Sequence, residues 1–143
     1  MDMKLLHQKF CKETFGPTGV IKKFEPVYEE DFNFAYDVID AIAKEEPARR
    51  AMVWCNVAGE KRTFTFGEMA DYASRAARLF LDHGIRRGDR VMLVLKRHYQ
   101  FWPAILGLHK IGAIAIPATH LLTAKDYLYR FGGAGVSASG ASA

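Results

Sequence analysis

The chain has 143 residues, of which half are apolar and a quarter are charged, with a formal net charge of +4. This composition is typical of one folded domain and excludes an intrinsically disordered chain. The longest apolar run, residues 91–95, is far shorter than the roughly 20 residues that a membrane span requires, so we expect no span.

The sequence also argues against secretion, disulfide bonds and a nucleic-acid partner. The first four residues lack the basic-then-apolar order of a signal peptide, so we expect a cytoplasmic protein. Cys11 and Cys55 form no C-x-x-C pair and are expected to be reduced thiols. The basic residues are scattered over loop ends without any nucleic-acid-binding motif, so we expect no nucleic-acid partner, although an acidic ligand such as a nucleotide or CoA would fit the charge.

The first third of the chain is predicted to be mainly helical. Residues 3–15 have helical spacing of apolar side chains and stop at Gly16-Pro17, and a polar, irregular stretch follows to about residue 31. Asn33 is a plausible N-cap for a second helix, which Pro47 ends.

A β-hairpin and a long helix are predicted next. Residues 51–57 and 62–66 have strand patterns around a turn, and Thr65 and Glu68 have the spacing of a capping box. The helix that begins there is expected to end at His83, because Gly84 stands where a C′ glycine belongs.

The following segment predicts a βαβ unit. The strand at residues 91–95 is apolar on both faces, as in a parallel sheet covered on both sides. A helix over residues 99–111 ends at Gly112, and a second apolar strand over residues 113–116 is closed by Pro117. Thr123 and Asp126 then indicate another helix start.

The composition changes at residue 132. Residues 132–143 contain only Gly, Ala, Ser and one Val, which predicts a flexible tail. We therefore divide the chain into residues 1–131 and this Gly/Ala/Ser-rich tail. Two parallel strands and a hairpin make an α/β fold whose sheet is incomplete.

Three segments, in order and at matching spacing, resemble the adenylate-forming (AMP-binding) superfamily, and within it the fatty and medium-chain acyl-CoA synthetases. They are TFTFGEM at residues 63–69, GDRV at 88–91 and LHKIGAIAIP at 108–117. The resemblance extends over most of the chain up to Phe131. It implies a partial N-terminal subdomain of the adenylate-forming fold.

The resemblance also implies an activity. Family members join ATP, a carboxylic acid and CoA through an acyl-adenylate, giving acyl-CoA, AMP and pyrophosphate, with Mg²⁺ at the phosphates. Their phosphate loop resembles T-S-G-T-T-G-x-P-K, and no segment here matches it; residues 132–135 are glycine-rich but have no following Lys. We therefore expect a fragment that is inactive alone, has no catalytic residue and does not bind ATP, Mg²⁺ or CoA tightly.

A few residues could carry other chemistry. By resemblance to some relatives, Arg130 could approach a CoA phosphate, although an exposed helical Arg is the commoner role. His98, His109 and His120 lack the spacing of a metal site, so no metal is expected. Tyr99, Phe101 and Trp102 could form an acyl pocket or a base-stacking platform, but such aromatics are more often core.

The sequence leaves an alternative open. A freestanding small α/β module that binds a partner without catalysis would account for the same elements. It would unfold cooperatively, whereas a fragment of a larger domain would expose apolar surface and aggregate or remain molten. A split enzyme completed by a second chain is a third possibility.

Overall fold

The computed structural model describes residues 7–141 and separates into one unit that ends at Phe32 and another that begins at Asn33. The predicted division after residue 131 concerns a different boundary and stays a prediction.

The first unit is a small antiparallel hairpin. After the short helix α1 (His7–Phe10), strand β1 (Cys11–Phe15) pairs with β2 (Ile21–Pro26). The helix predicted over residues 3–15 is therefore wrong for residues 11–15, which form strand β1, and its residues 3–6 lie outside the described residues. The irregular stretch predicted to about residue 31 is wrong for residues 21–26, which form strand β2. The cause is the Gly16–Gly19 turn, closed by the Gly19 amide donating to the Gly16 carbonyl at 3.0 Å, which returns the chain alongside β1.

The second unit contains the remaining elements. In chain order they are a π-helix (Ala35–Asp40), α2 (Ala41–Glu45), β3 (Arg50–Cys55), β4 (Lys61–Thr65), α3 (Phe66–Asp82), β5 (Arg90–Val94), α4 (Phe101–Lys110), β6 (Ile114–Pro117), α5 (Ala124–Ala134) and β7 (Ala138–Ala141).

Side-chain caps set the starts of the helices. The predicted capping box of Thr65 with Glu68 is confirmed at the start of α3, and the helix start predicted at Thr123 and Asp126 is confirmed as a capping box that begins α5. Asn33 also acts as predicted, since its Oδ1 accepts from the Ala35 amide at 3.0 Å. The turns that follow Asn33 are π-helical rather than α-helical.

The predicted hairpin and βαβ unit are both confirmed. Strands β3 and β4 are antiparallel, and β5 and β6 are parallel strands connected by α4. Residues 91–94 of β5 are all buried, which explains their apolar character on both faces. Gly84 and Gly112 follow α3 and α4 with φ of 85° and 70°, as predicted for C′ glycines.

The core of this unit lies in two clusters on either side of α4. One cluster contains Ala35, Phe64, Met69, Ala73 and Leu106, and the other contains Ile85, Val91, Leu93, Leu108 and Ala113. Helix α4 contributes Leu106 to the first and Leu108 to the second, so it connects the hairpin and α3 with the parallel sheet.

The Gly/Ala/Ser-rich segment carries regular structure. Residues 132–134 complete α5, and β7 pairs in parallel with β5, which gives the sheet order β6-β5-β7. Backbone hydrogen bonds to β5 require no large side chains, which is why the composition did not reveal this strand. The predicted flexibility of residues 132–143 stays a prediction. Within residues 7–141, every helix is too short or too polar to span a bilayer.

Candidate functional site

The carboxyl edge of the parallel sheet is the first candidate site, because open α/β sheets bind ligands there. Strand β5 ends at Val94 and leads into the exposed basic residues Lys96, Arg97 and His98. The Trp54 Nε1–H of β3 donates to the Arg97 carbonyl at 2.7 Å, which fixes this loop against the hairpin.

A second feature, the Arg62 cluster, consists of Arg62, Tyr72 and Tyr99. The Arg62 Nη1 donates to the Tyr99 hydroxyl at 2.8 Å, and its Nη2 donates to the Tyr72 hydroxyl at 3.0 Å. The Arg62 Cζ lies 4.8 Å from the ring centroids of both Phe64 and Tyr99. The cluster therefore joins β4, α3 and the segment before α4.

The arginines at the opposite, amino edge of the sheet have structural roles. Arg86 Nη1 donates to the carbonyls of Leu81 and Ile85, at 2.8 and 3.0 Å, and so satisfies carbonyls near the end of α3. The Arg87 side chain lies against Gly112. Part of the net positive charge is thus explained without a ligand.

Arg130 lies exposed on α5, four residues after Asp126. Hydrogen bonds with Thr123 are the main cause of the lowered pKa of Asp126, and the Arg130 charge adds a smaller effect. This geometry describes a helix surface and does not test whether Arg130 contacts a CoA phosphate.

The three histidines occupy different elements. His98 lies after β5, His109 on α4 and His120 after β6. Burial lowers the pKa of His109. Among residues 7–141, no three His, Cys, Asp or Glu side chains come together in a way that could hold a metal ion.

The aromatic residues around the start of α4 divide between core and surface. Tyr99 packs against the cluster around Phe64, and Phe101 against the cluster around Leu108, so the core interpretation is confirmed for both. Trp102 is 52% exposed and borders a groove of about 440 Å³ together with Phe34 and Val53. No sequence pattern indicated this groove, because its walls come from elements far apart along the chain.

Residues 132–135 do not fit a nucleotide phosphate site of the family's kind. Gly132 and Gly133 lie inside α5, and Gly135 is its left-handed C-cap. A phosphate loop instead precedes a helix and presents its amides and a Lys to the anion. This glycine-rich segment ends a helix, so we derive no catalytic step through ATP or Mg²⁺ from it.

Comparisons with known proteins agree with this fold. A family model described as "AMP-binding enzyme" matches residues 39–139. Human acyl-coenzyme A synthetase ACSM1, mitochondrial, is 41% identical over 107 residues, which cover 71% of this chain and 18% of that protein.

Solved structures show the same relationship. The acyl-CoA synthetase of Brucella canis has a TM-score of 0.71 and 28% identity, covering 76% of this chain and 20% of that chain. The N-terminal domain of FACL13 from Mycobacterium tuberculosis has a TM-score of 0.67 and 25% identity, covering 75% of this chain and 26% of that domain. The chain thus spans about a fifth of the length of the full synthetases it matches. Because the family model matches most of its residues, the chain belongs to the AMP-binding enzyme family, with acyl-CoA synthetases as its relatives.

Proposed function

We propose that this chain is part of an AMP-forming acyl-CoA synthetase that acts on a fatty or medium-chain carboxylic acid. Such an enzyme uses ATP, Mg²⁺ and CoA and releases acyl-CoA, AMP and pyrophosphate. The family match and the 41% identity to a human acyl-CoA synthetase carry this proposal. A role in fatty acid metabolism follows from that substrate class.

We also propose that the 143 residues do not catalyse this reaction by themselves. The sequence has no Ser/Thr/Gly-rich loop ending in Lys, and residues 132–134 belong to a helix. The described parallel sheet has three strands. The chain therefore supplies a scaffold without the cradle that would neutralise the phosphates of ATP.

A pyrophosphate-release assay tests the lack of activity. The purified chain is mixed with ATP, Mg²⁺, CoA and octanoate, with human acyl-coenzyme A synthetase ACSM1 as a positive control. We expect no release above that of a sample without the chain. Release above this background would overturn the proposed inactivity and would leave the family membership intact.

The DNA beyond codon 131, read in all three forward frames, tests the relation to a full synthetase. A downstream segment that encodes the phosphate loop would support a broken copy of a longer enzyme. Its absence both there and in neighbouring reading frames would argue against the fragment and split-enzyme interpretations.

The alternative, a freestanding binding module, is favoured by one observation. The second unit has two buried apolar clusters of its own, built from residues between Ala35 and Ala113. A cooperative thermal transition with a dispersed NMR spectrum would support this alternative. Dye binding typical of exposed apolar surface, with no cooperative transition, would support the fragment.

Two finer points belong to the same proposal. Arg130 would approach a CoA phosphate in an intact synthetase; an unchanged KM for CoA after substitution of the equivalent Arg by Ala in a homologous enzyme would contradict this. We also propose a cytoplasmic location, although the name of the human relative places that protein in mitochondria. Fractionation of cells that express the tagged chain would decide the location.

A further inference from the structure

We propose that the Arg62 cluster binds the phosphate group of an anionic ligand. This inference goes beyond the proposed synthetase activity and does not depend on it. Its basis is the arrangement of three side chains from three separate elements, Arg62 on β4, Tyr72 on α3 and Tyr99 before α4.

The cluster offers hydrogen-bond donors. A guanidinium has only donors, and each tyrosine hydroxyl has one proton in addition to its acceptor lone pairs. Both hydroxyls accept from Arg62, so each keeps its proton for another acceptor. No hydrogen bond within residues 7–141 uses either hydroxyl proton. Arg62 also retains N–H groups beyond the two that the tyrosines occupy.

The charge around the cluster favours an anion. Within the described part of the chain, no carboxylate forms an ion pair with Arg62. The acidic side chains nearest to Tyr72 on α3 are engaged elsewhere: Glu68 accepts from the Thr65 amide, and Asp71 pairs with Arg75. Arg97, two residues before Tyr99, adds positive potential.

The cluster is also held in place before any ligand arrives. Phe64, only 1% exposed, lies beneath the guanidinium, and its ring centroid is 5.0 Å from that of Tyr99. The Trp54 ring packs edge-on against Tyr99 with its ring centroid 5.6 Å from that of Tyr99. The Trp54 indole N–H donates a hydrogen bond to the Arg97 carbonyl and so holds the backbone before Tyr99. Since Arg62 is already ordered, binding loses little side-chain entropy.

The donor geometry favours phosphate over carboxylate. The guanidinium fork of Arg binds carboxylate and phosphate alike, so the preference for phosphate comes from the two tyrosine hydroxyl donors that accompany Arg62. Donors that come from three side chains suit a tetrahedral anion with at least three acceptor oxygens. Free phosphate and the phosphate of a nucleotide share this chemistry.

The two tryptophans provide the readout. We would titrate the ¹⁵N-labelled full chain with inorganic phosphate at constant ionic strength and follow the two indole N–H signals. We expect the Trp54 signal to shift in a saturable manner, because this ring contacts Tyr99. The Trp102 signal should shift less, because this ring packs edge-on against Phe101 rather than against Tyr99. Acetate should give a smaller shift at the same concentration.

Substitutions then assign the effect to the cluster. Arg62→Met should raise the apparent dissociation constant about tenfold or more, because a charge-assisted hydrogen bond is lost. The double variant Tyr72→Phe/Tyr99→Phe keeps both rings and should weaken phosphate binding, because it removes the two hydroxyl donors. If Arg62→Met does not fold, this double variant provides the test in its place. Arg78→Met, an exposed arginine of α3 whose partner Asp82 is 3.8 Å away, is the matched control for loss of charge.

The outcomes are decisive in either direction. The site is supported if the wild-type chain binds phosphate saturably, the variants of Arg62 and of the two tyrosines lose this binding, and Arg78→Met retains it. A linear or absent shift of the wild-type Trp54 signal overturns it, as does equal weakening by Arg78→Met or an equal response to acetate. Parallel titrations with AMP and adenosine identify the source: a nucleotide ligand requires AMP to bind more tightly than phosphate while adenosine has no effect.

Discussion

Gly107 of α4 lies so close to Ala76 of α3 that a Cβ atom on Gly107 would come within 2.8 Å of the Ala76 Cβ. The backbone nitrogen of Ala77 would be equally close, so the neighbours could not move aside cheaply. The absence of a side chain at Gly107 therefore sets the separation of the two helices. This contact in turn positions the two core clusters on either side of α4.

Gly107→Ala should destabilise the chain by about 1–3 kcal/mol, the range found for overpacked interiors. The measurement is chemical denaturation followed by circular dichroism. Gly132→Ala is the matched control, because Gly132 also lies inside a helix but a methyl group added there would have nothing within 4 Å. It should stabilise by about 0.5–1 kcal/mol through helix propensity. Equal effects of the two substitutions would contradict the close contact of α3 and α4.

Gly140→Ala tests whether β7 belongs to the sheet. A Cβ at Gly140 would meet the Leu93 Cδ2 at 3.7 Å, an ordinary van der Waals contact beside an apolar groove lined by Leu79 and Phe80. We expect a gain in stability of about 0.5–1 kcal/mol, since the methyl group buries surface and Gly disfavours a strand. Thermal unfolding of both proteins measures it. If residues 132–143 are instead a flexible tail, the midpoint will not change.

Local signals account for the parts of the fold that the sequence predicted. The capping boxes at Thr65 and Thr123 each lie within four residues, and the glycines after α3 and α4 report backbone conformation directly. Strand β1 was missed because CKETF satisfies both helical and alternating patterns, and only pairing with β2 decides between them. The same limit applies to β7, whose pairing with β5 joins residues more than forty positions apart in sequence.

The candidate sites show this limit more strongly. The sequence singled out Arg130, which lies exposed on α5, but it did not reveal the Arg62 cluster. That cluster joins Arg62 to a tyrosine 10 residues away and to another 37 residues away. A pattern within one element could not reveal such a contact, although the alternation of Phe64 and Phe66 with polar residues was a hint of a packed face.

The ion pair between Lys110 and Asp40 should contribute measurably to stability. The Lys110 side chain is only 7% exposed and also contacts Ser74, at 3.2 Å, and the face of Tyr36. Lys110→Met should cost about 1–3 kcal/mol, less than for a fully buried pair because the Asp40 side chain is 30% exposed. Urea denaturation of Lys110→Met, of Asp40→Ala and of the double variant that combines them gives the coupling energy of the ion pair.

The exposed pair of Arg75 and Asp71 on α3 is the control for that cycle. Both side chains are more than half exposed, so Arg75→Met should leave the unfolding midpoint almost unchanged. Additive single variants at Lys110 and Asp40, with no coupling energy, would show that the ion pair does not hold the π-helix against α4.

His109 should make the stability of the chain depend on pH near neutrality. Burial lowers its pKa below the usual value of 6.5, so the folded state releases this proton more readily than the unfolded state does. As the pH falls through 6.5, the unfolded state gains the proton first, and stability therefore decreases until the pH reaches the folded pKa. Carboxylates titrate at lower pH, which separates their contribution from this window.

His109→Gln should flatten the dependence of unfolding free energy on pH between about 7.5 and 5.5, whereas His120→Gln, at an exposed position, should preserve it. An unchanged slope in His109→Gln would show that another group titrates there.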